Sequence, residues 1–163
     1  MSSVRATPDP IPATPADGGP ALFRLVRFWS RRWSGRVFDG YSTEPAADTG
    51  RIQHIQVLEA VAAARRTRDE ATVSDVATQL GIDHSGASRM VRDAVTAEYL
   101  IRLTSPHDRR RVVLEPTETG EQLLDAAHAW QRECFDRLTA GWPARDRGQF
   151  AIYLQRLADE TAT

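Results

Sequence analysis

Residues 72–91, "TVSDVATQLGIDHSGASRMV", hold two short helical patterns separated by a single glycine. Thr72 is placed as an N-cap, with Asp75 three residues on, where a carboxylate meets free backbone N–H groups. Val73, Val76, Ala77 and Leu80 follow at i, i+3, i+4 and i+7, one buried face of a helix. Gly81 supplies the left-handed conformation that a tight helix-to-helix turn requires. Asp83 then caps a further helix over 84–99, which would bury Ala87, Val91, Ala94 and Val95. Its other face carries His84, Ser85, Ser88, Arg89 and Arg92, which are small, polar or basic. This spacing predicts a helix-turn-helix.

The next residues extend the motif. "YLIRLTS" (99–105), the tip "PHDRR" (106–110) and "RVVLEP" from Arg111 read as two β-rich runs joined by a polar turn, hence a hairpin. An isolated arginine triplet on a turn is ordinarily a solvated rim. Directly after a second helix with a basic outer face, the same hairpin is a wing. A long helix then starts at Thr117, with Leu123, Ala127, Trp130, Cys134 and Leu138 on one stripe. A last helix over 144–160 carries Phe150, Tyr153, Leu154 and Leu157. Upstream, a helix over 51–66 would bury Ile52, Ile55, Val57, Leu58 and Val61 or a subset of them. "FDGYSTEPAADTG" (38–50) reads as a loop, and a helix from Ala21 sets Leu22, Leu25, Val26, Trp29 and Trp33 opposite arginines.

The fold class expected is therefore mainly α: a winged helix-turn-helix with long N- and C-terminal helices. The chain divides into four segments: a disordered Pro-rich arm (1–20), a helix and loop (21–50), the winged lobe (51–116) and C-terminal helices (117–163). The arm holds five of the nine prolines and almost nothing that packs.

Composition narrows the function classes. With 41% hydrophobic and 26% charged residues, the chain has apolar material for a real core. No run approaches a membrane span, and the N-terminus lacks the pattern of a secretory signal, so a cytoplasmic protein is expected. One cysteine excludes an intramolecular disulfide framework. The net charge of −1 hides a pattern. Residues 21–38 carry Arg24, Arg27, Arg31, Arg32 and Arg36 and no acid, residues 84–113 are net +3, and 116–163 are net −3. All 21 basic residues are arginine and asparagine is absent, which fits the codon usage of a G+C-rich bacterial genome.

The order of elements, with "VSDVATQLGIDHSGASRMV" followed by "YLIRLTSPHDRRRVVLEPTETG", resembles the MarR family of bacterial transcriptional regulators. The family's Asp-x-Arg wing signature falls on Asp108 and Arg110, and its Thr-x-x-Gly on Thr117 to Gly120. Two positions depart from the family pattern: Gly86 inside the second helix and Pro116 before Thr117. The resemblance implies a repressor that binds a pseudo-palindromic double-stranded operator as a homodimer, with the first helix and last two as the dimerisation platform. It implies that Arg110 enters the minor groove and that Asp108 orients it, with Arg109 and Arg111 at phosphates. On the helix, Ser85 and Ser88 can donate to phosphate or base edges, and His84 is a phosphate neighbour or cap. Arg89 has the fork to take guanine O6 and N7, or a phosphate instead; Arg92 shares that face. Family members also bind small aromatic or phenolic effectors, for which Trp29, Trp33 and His54 are candidate lining residues.

Other classes find less support. The four histidines do not cluster, and neither a phosphate-binding glycine loop nor a metal-ligand spacing is present, so no enzyme, cofactor or metal is expected. A redox sensor would need a reactive thiol, and Cys134 lies on an apolar stripe. A protein-interaction module that has lost DNA recognition would not need the wing arginines.

Overall fold

The computed structural model describes residues 17–32 and 45–161, with the side chains of 29–32 and 45–49 outside that description. The element order is α1 (Gly18–Arg32), α2 (Pro45–Arg68), α3 (Val73–Leu80), α4 (His84–Thr96), β1 (Leu100–Thr104), β2 (Val112–Pro116), α5 (Glu118–Leu138) and α6 (Ala144–Thr161). The chain divides into two compact units at residues 49 and 50.

In the first unit, α1 starts three residues earlier than Ala21, at Gly18, so the end of the Pro-rich segment is helical. The expected disorder of residues 1–16 lies outside the described residues, as does Trp33. Leu22, Phe23, Leu25 and Val26 are all exposed.

The core of the second unit is built on α2. Val57, Leu58 and Val61 are fully enclosed, and Ile52, Ile55, Ala60 and Ala64 are buried with them. Burial on so much of its circumference makes α2 a central helix around which shorter elements pack. It begins at Pro45, six residues before the expected start, because proline is preorganised for a first helical turn. Part of the expected 38–50 loop is therefore helix.

Local chemistry fixes the next elements as the sequence predicts. The Asp75 amide donates to the Thr72 hydroxyl (3.3 Å) and the Thr72 amide donates to the Asp75 carboxylate (2.9 Å), a reciprocal cap on α3. Gly81 has φ 64° and ψ 33°, and the following Ile82 amide reaches back to Ala77 O at 3.1 Å. Val76 of α3 and Ala87, Val91 and Ala94 of α4 meet α2 in one apolar cluster. Helix α4 ends at Thr96 rather than Tyr99, because Glu98 takes φ 60° and turns the chain into β1.

Strands β1 and β2 pair antiparallel, with Leu100 opposite Pro116 and Thr104 opposite Val112. The Leu114 amide donates outward to Ala71 O at 2.8 Å, tying the hairpin to the segment before α3. Pro116 ends β2, where its missing N–H costs the ladder little.

The start of α5 is the tightest joint. Thr117 caps the helix, its hydroxyl accepting from the Gly120 amide (3.0 Å) and donating to Glu98 O (2.6 Å). The Thr117 amide donates to Tyr99 O at 3.1 Å. A Cβ on Gly120 would lie 2.1 Å from that same carbonyl oxygen. Helix α5 then buries Ala127 and Cys134, while Leu138 of the expected stripe is exposed. Helix α6 buries none of its residues, and Ile152, Tyr153, Leu154 and Leu157 are exposed.

Gly120→Ala should cost about 1–3 kcal/mol or more, since the clash is with backbone and not with a flexible side chain. Ser88→Ala, away from that joint, should leave stability within about 0.5 kcal/mol of wild type. Urea midpoints of the two variants check this; a Gly120→Ala midpoint equal to wild type would contradict the close approach.

Candidate nucleic-acid interface

Helix α4 stands on its buried side and presents the other. His84, Ser85, Arg89 and Arg92 are exposed, and Ser88 is half-buried on the flank. The Asp83 carboxylate accepts the Gly86 amide at 2.9 Å, so the helix starts at a fixed residue. That hydrogen bond lowers the Asp83 pKa; slight burial opposes it, and the Ser85 amide and Arg89 charge add to it. Gly86 is not sterically required: an added Cβ would meet Asp83 Oδ2 at 3.4 Å, an ordinary contact.

At the wing, His107, Asp108, Arg109, Arg110 and Arg111 are all exposed. Asp108 acts on the backbone of Arg110, accepting its amide at 2.9 Å, and no ion pair joins it to that guanidinium among the described residues. The tip closes through Arg111 N–H to Asp108 O (2.9 Å) and Ser105 N–H to Arg111 O (2.9 Å). Arg111 differs from its neighbours, with Nη1 3.4 Å from Glu70 Oε2.

Helix, turn, helix and basic hairpin thus stand on one core in the expected order. Residues 49–111 match the family model described as MarR family. Residues 49–111 belong to the MarR family. Their fold within the whole chain is also that of MarR-family structures. Apo MarR from E. coli is 18% identical, with a TM-score of 0.59 over 85% of this chain and 95% of that one. MepR from S. aureus bound to ethidium bromide gives 17% identity and a TM-score of 0.55, covering 88% and 96%. A MepR variant bound to an oligodeoxyribonucleotide gives 17% and 0.54, covering 87% and 96%. At these identities the likeness speaks for the fold. A comparison with curated protein sequences gives no match.

Around this MarR lobe, the other candidate residues fall as follows. His54 is half-buried on α2, with its ring 5.1 Å from that of Tyr99. Burial lowers its pKa, and the Asp93 charge opposes the shift. The Trp29 side chain and Trp33, the other two proposed effector-lining residues, lie outside the described residues. A shallow groove on α5, lined by His128, Gln131, Arg132, Phe135 and Asp136, does not include His54. Cys134 is buried, and Arg137 Nη2 donates to its sulfur at 3.3 Å. Among the described residues no cluster of His, Cys, Asp and Glu could hold a metal, and no helix is long and apolar enough to cross a membrane.

Two residues that hold the wing tip escape sequence reasoning. Ser105 is enclosed and its hydroxyl accepts the amides of His107 (3.1 Å) and Asp108 (3.2 Å). A serine before proline at a hairpin tip is a readable turn signal. Glu70, which accepts a hydrogen bond from the Ser105 hydroxyl, has no such sequence signal, because its partner is 35 residues away.

The two depressed pKa values give opposite-charge groups the same sign of pH dependence. Asp83 stabilises the fold above its unfolded pKa, and that contribution is lost as pH falls through the lower folded value. For His54 the unfolded chain takes up the proton first, so stability declines as pH drops below about 6.5. His54→Phe keeps a ring against Tyr99 and removes the titration. Thermal midpoints across roughly pH 7 to 5 should then fall less for His54→Phe than for wild type; equal falls would mean that His54 does not contribute.

Proposed function

We propose that this protein is a sequence-specific, double-stranded-DNA-binding transcriptional regulator acting in the cytoplasm as a homodimer. The observation that carries the reading is the pairing of an exposed, capped α4 face with an exposed arginine tip on one rigid lobe. Helix α4 would lie in the major groove, with Ser85, Ser88, Arg89 and Arg92 toward bases and phosphates and His84 at a phosphate. Arg110 would enter the adjoining minor groove, where a planar, weakly hydrated guanidinium suits a narrow electronegative channel. Arg109 would meet phosphate.

Two copies give the specificity one helix lacks, by reading half-sites of a pseudo-palindromic operator about one helical turn apart. The exposed apolar faces of α1 and α6 support a dimer built from α1, α5 and α6, since isolated chains rarely leave such faces to water. The oligodeoxyribonucleotide bound by the MepR variant supports DNA as the ligand, and ethidium bound by MepR supports a small aromatic effector. Repression relieved by such an effector is the regulatory reading consistent with both.

Fluorescence anisotropy on operator and random duplex across a salt series tests the proposal. Arg110→Ala should weaken both, more so with A/T-rich flanks, and flatten the log–log salt slope by roughly one unit per half-site. Arg89→Ala should cost about 1–3 kcal/mol on operator and relax one base pair if Arg89 reads guanine. Wild-type affinity for Arg110→Ala throughout would reduce the arginine run to a solvated tip. Sedimentation at micromolar concentration should give a dimer; a lone 18.1 kDa species would remove the dimer.

A further inference from the structure

None of the proposed DNA contacts involves Glu70, yet its carboxylate meets two residues of the wing, Ser105 and Arg111. Glu70 stands in the short segment between α2 and α3, just after Asp69, which turns the chain at φ 60°. Its neighbour Ala71 is fully buried and accepts the Leu114 amide at 2.8 Å, so the backbone beside Glu70 is pinned to β2. The Glu70 side chain is only 11% exposed. One carboxylate oxygen accepts a hydrogen bond from the Ser105 hydroxyl, and the other lies 3.4 Å from Arg111 Nη1.

Ser105 is the centre of the tip. It is 2% exposed, and its oxygen accepts the amides of His107 and Asp108. With those acceptor positions filled, its single proton needs a buried acceptor, and Glu70 supplies it. Arg111 is half-exposed, so its pairing with Glu70 adds little stability. In the structure that guanidinium lies beside Glu70.

We propose that Glu70 is the positioning residue of the wing: it fixes the tip through Ser105 and withholds Arg111 from DNA, leaving Arg109 and Arg110 as the presented cations. The second half of this rests on the DNA-binding reading. A held Arg111 lowers the sequence-independent phosphate attraction, which favours operator over random duplex. A fixed tip spares Arg110 the entropy of being ordered on binding.

The two roles separate by substitution in the full-length protein. Glu70→Gln keeps a carbonyl oxygen for Ser105 and loses the charge that holds Arg111. Glu70→Ala loses both. Amide hydrogen exchange of free protein should be about tenfold or more faster at His107 and Asp108 in Glu70→Ala and near wild type in Glu70→Gln. Both variants should steepen the salt slope on random duplex by roughly one unit per half-site. Adding Arg111→Ala to either should return the slope to the wild-type value, which a merely structural defect would not do.

Unchanged exchange in Glu70→Ala would overturn the anchoring. An unchanged slope in both variants, or a steep slope persisting without Arg111, would overturn the withholding. If wild-type protein binds no duplex at any salt, the DNA reading fails and the withholding of Arg111 fails with it. Exchange at His107 and Asp108 still decides then whether Glu70 holds the tip.

Discussion

The carbonyl oxygen of Tyr99 is the point on which the winged lobe closes. It accepts the Thr117 amide at 3.1 Å, and Gly120 sits so near that any side chain there would strike it. Tyr99 leads into β1 and Thr117 follows β2, so this contact closes the base of the hairpin and sets where α5 begins. Thr117 contributes twice, capping α5 and bonding Glu98 O, the carbonyl of the residue that turns α4 into β1. The exit from α4, the base of the wing and the start of α5 therefore share one set of hydrogen bonds. A shift in any of the three disturbs the other two, which is how a helix at one end of the lobe is coupled to a hairpin at the other.

Rigidity at the surface derives from that joint and from α2. The outer face of α4 carries little that packs, and its orientation comes from Ala87, Val91 and Ala94 seated in the core, with Met90 and Val95 packed against it. These are small residues, so α4 lies close to its neighbours and each lost methyl matters. The wing has a second attachment through Ala71 and Glu70. Its tip is thus held at both ends of the hairpin, although the tip residues themselves are exposed.

Much of this architecture is legible in the sequence, for physical reasons that differ by element. Thr72, Gly81, Asp83 and Thr117 are readable because caps and turns are local: donor and acceptor lie within four residues. Val57, Leu58, Val61 and Ala87 are readable because periodicity reports burial directly. The end of α4 falls three residues before its expected place, because Glu98 adopts a left-handed conformation that a glutamate does not advertise. The start of α2 is hidden because Pro45 lies among turn-forming residues and looks like a loop. Glu70 is invisible since its hydrogen-bond partner is a serine brought to it by the hairpin fold. The exposure of Leu138 on α5 likewise depends on what lies opposite, which helical spacing alone does not specify.

Burial is unevenly distributed over the second unit. The apolar cluster holds α2, α3, α4 and the hairpin together, while α6 buries nothing and α5 only Ala127 and Cys134 among its apolar side chains. An element with few buried contacts opens at lower free energy than one within the core. If α6 and α1 are completed by a second copy, the free energy that sets the spacing of two α4 helices resides in those outer helices. On the proposed reading, a ligand acting on them need not disturb the core, and a bias of a few kcal/mol between two dimer arrangements would be enough to change operator affinity many-fold. The stiff α4-and-wing unit would then transmit that change as a rigid body, because its joint at Tyr99, Thr117 and Gly120 leaves no slack to absorb it.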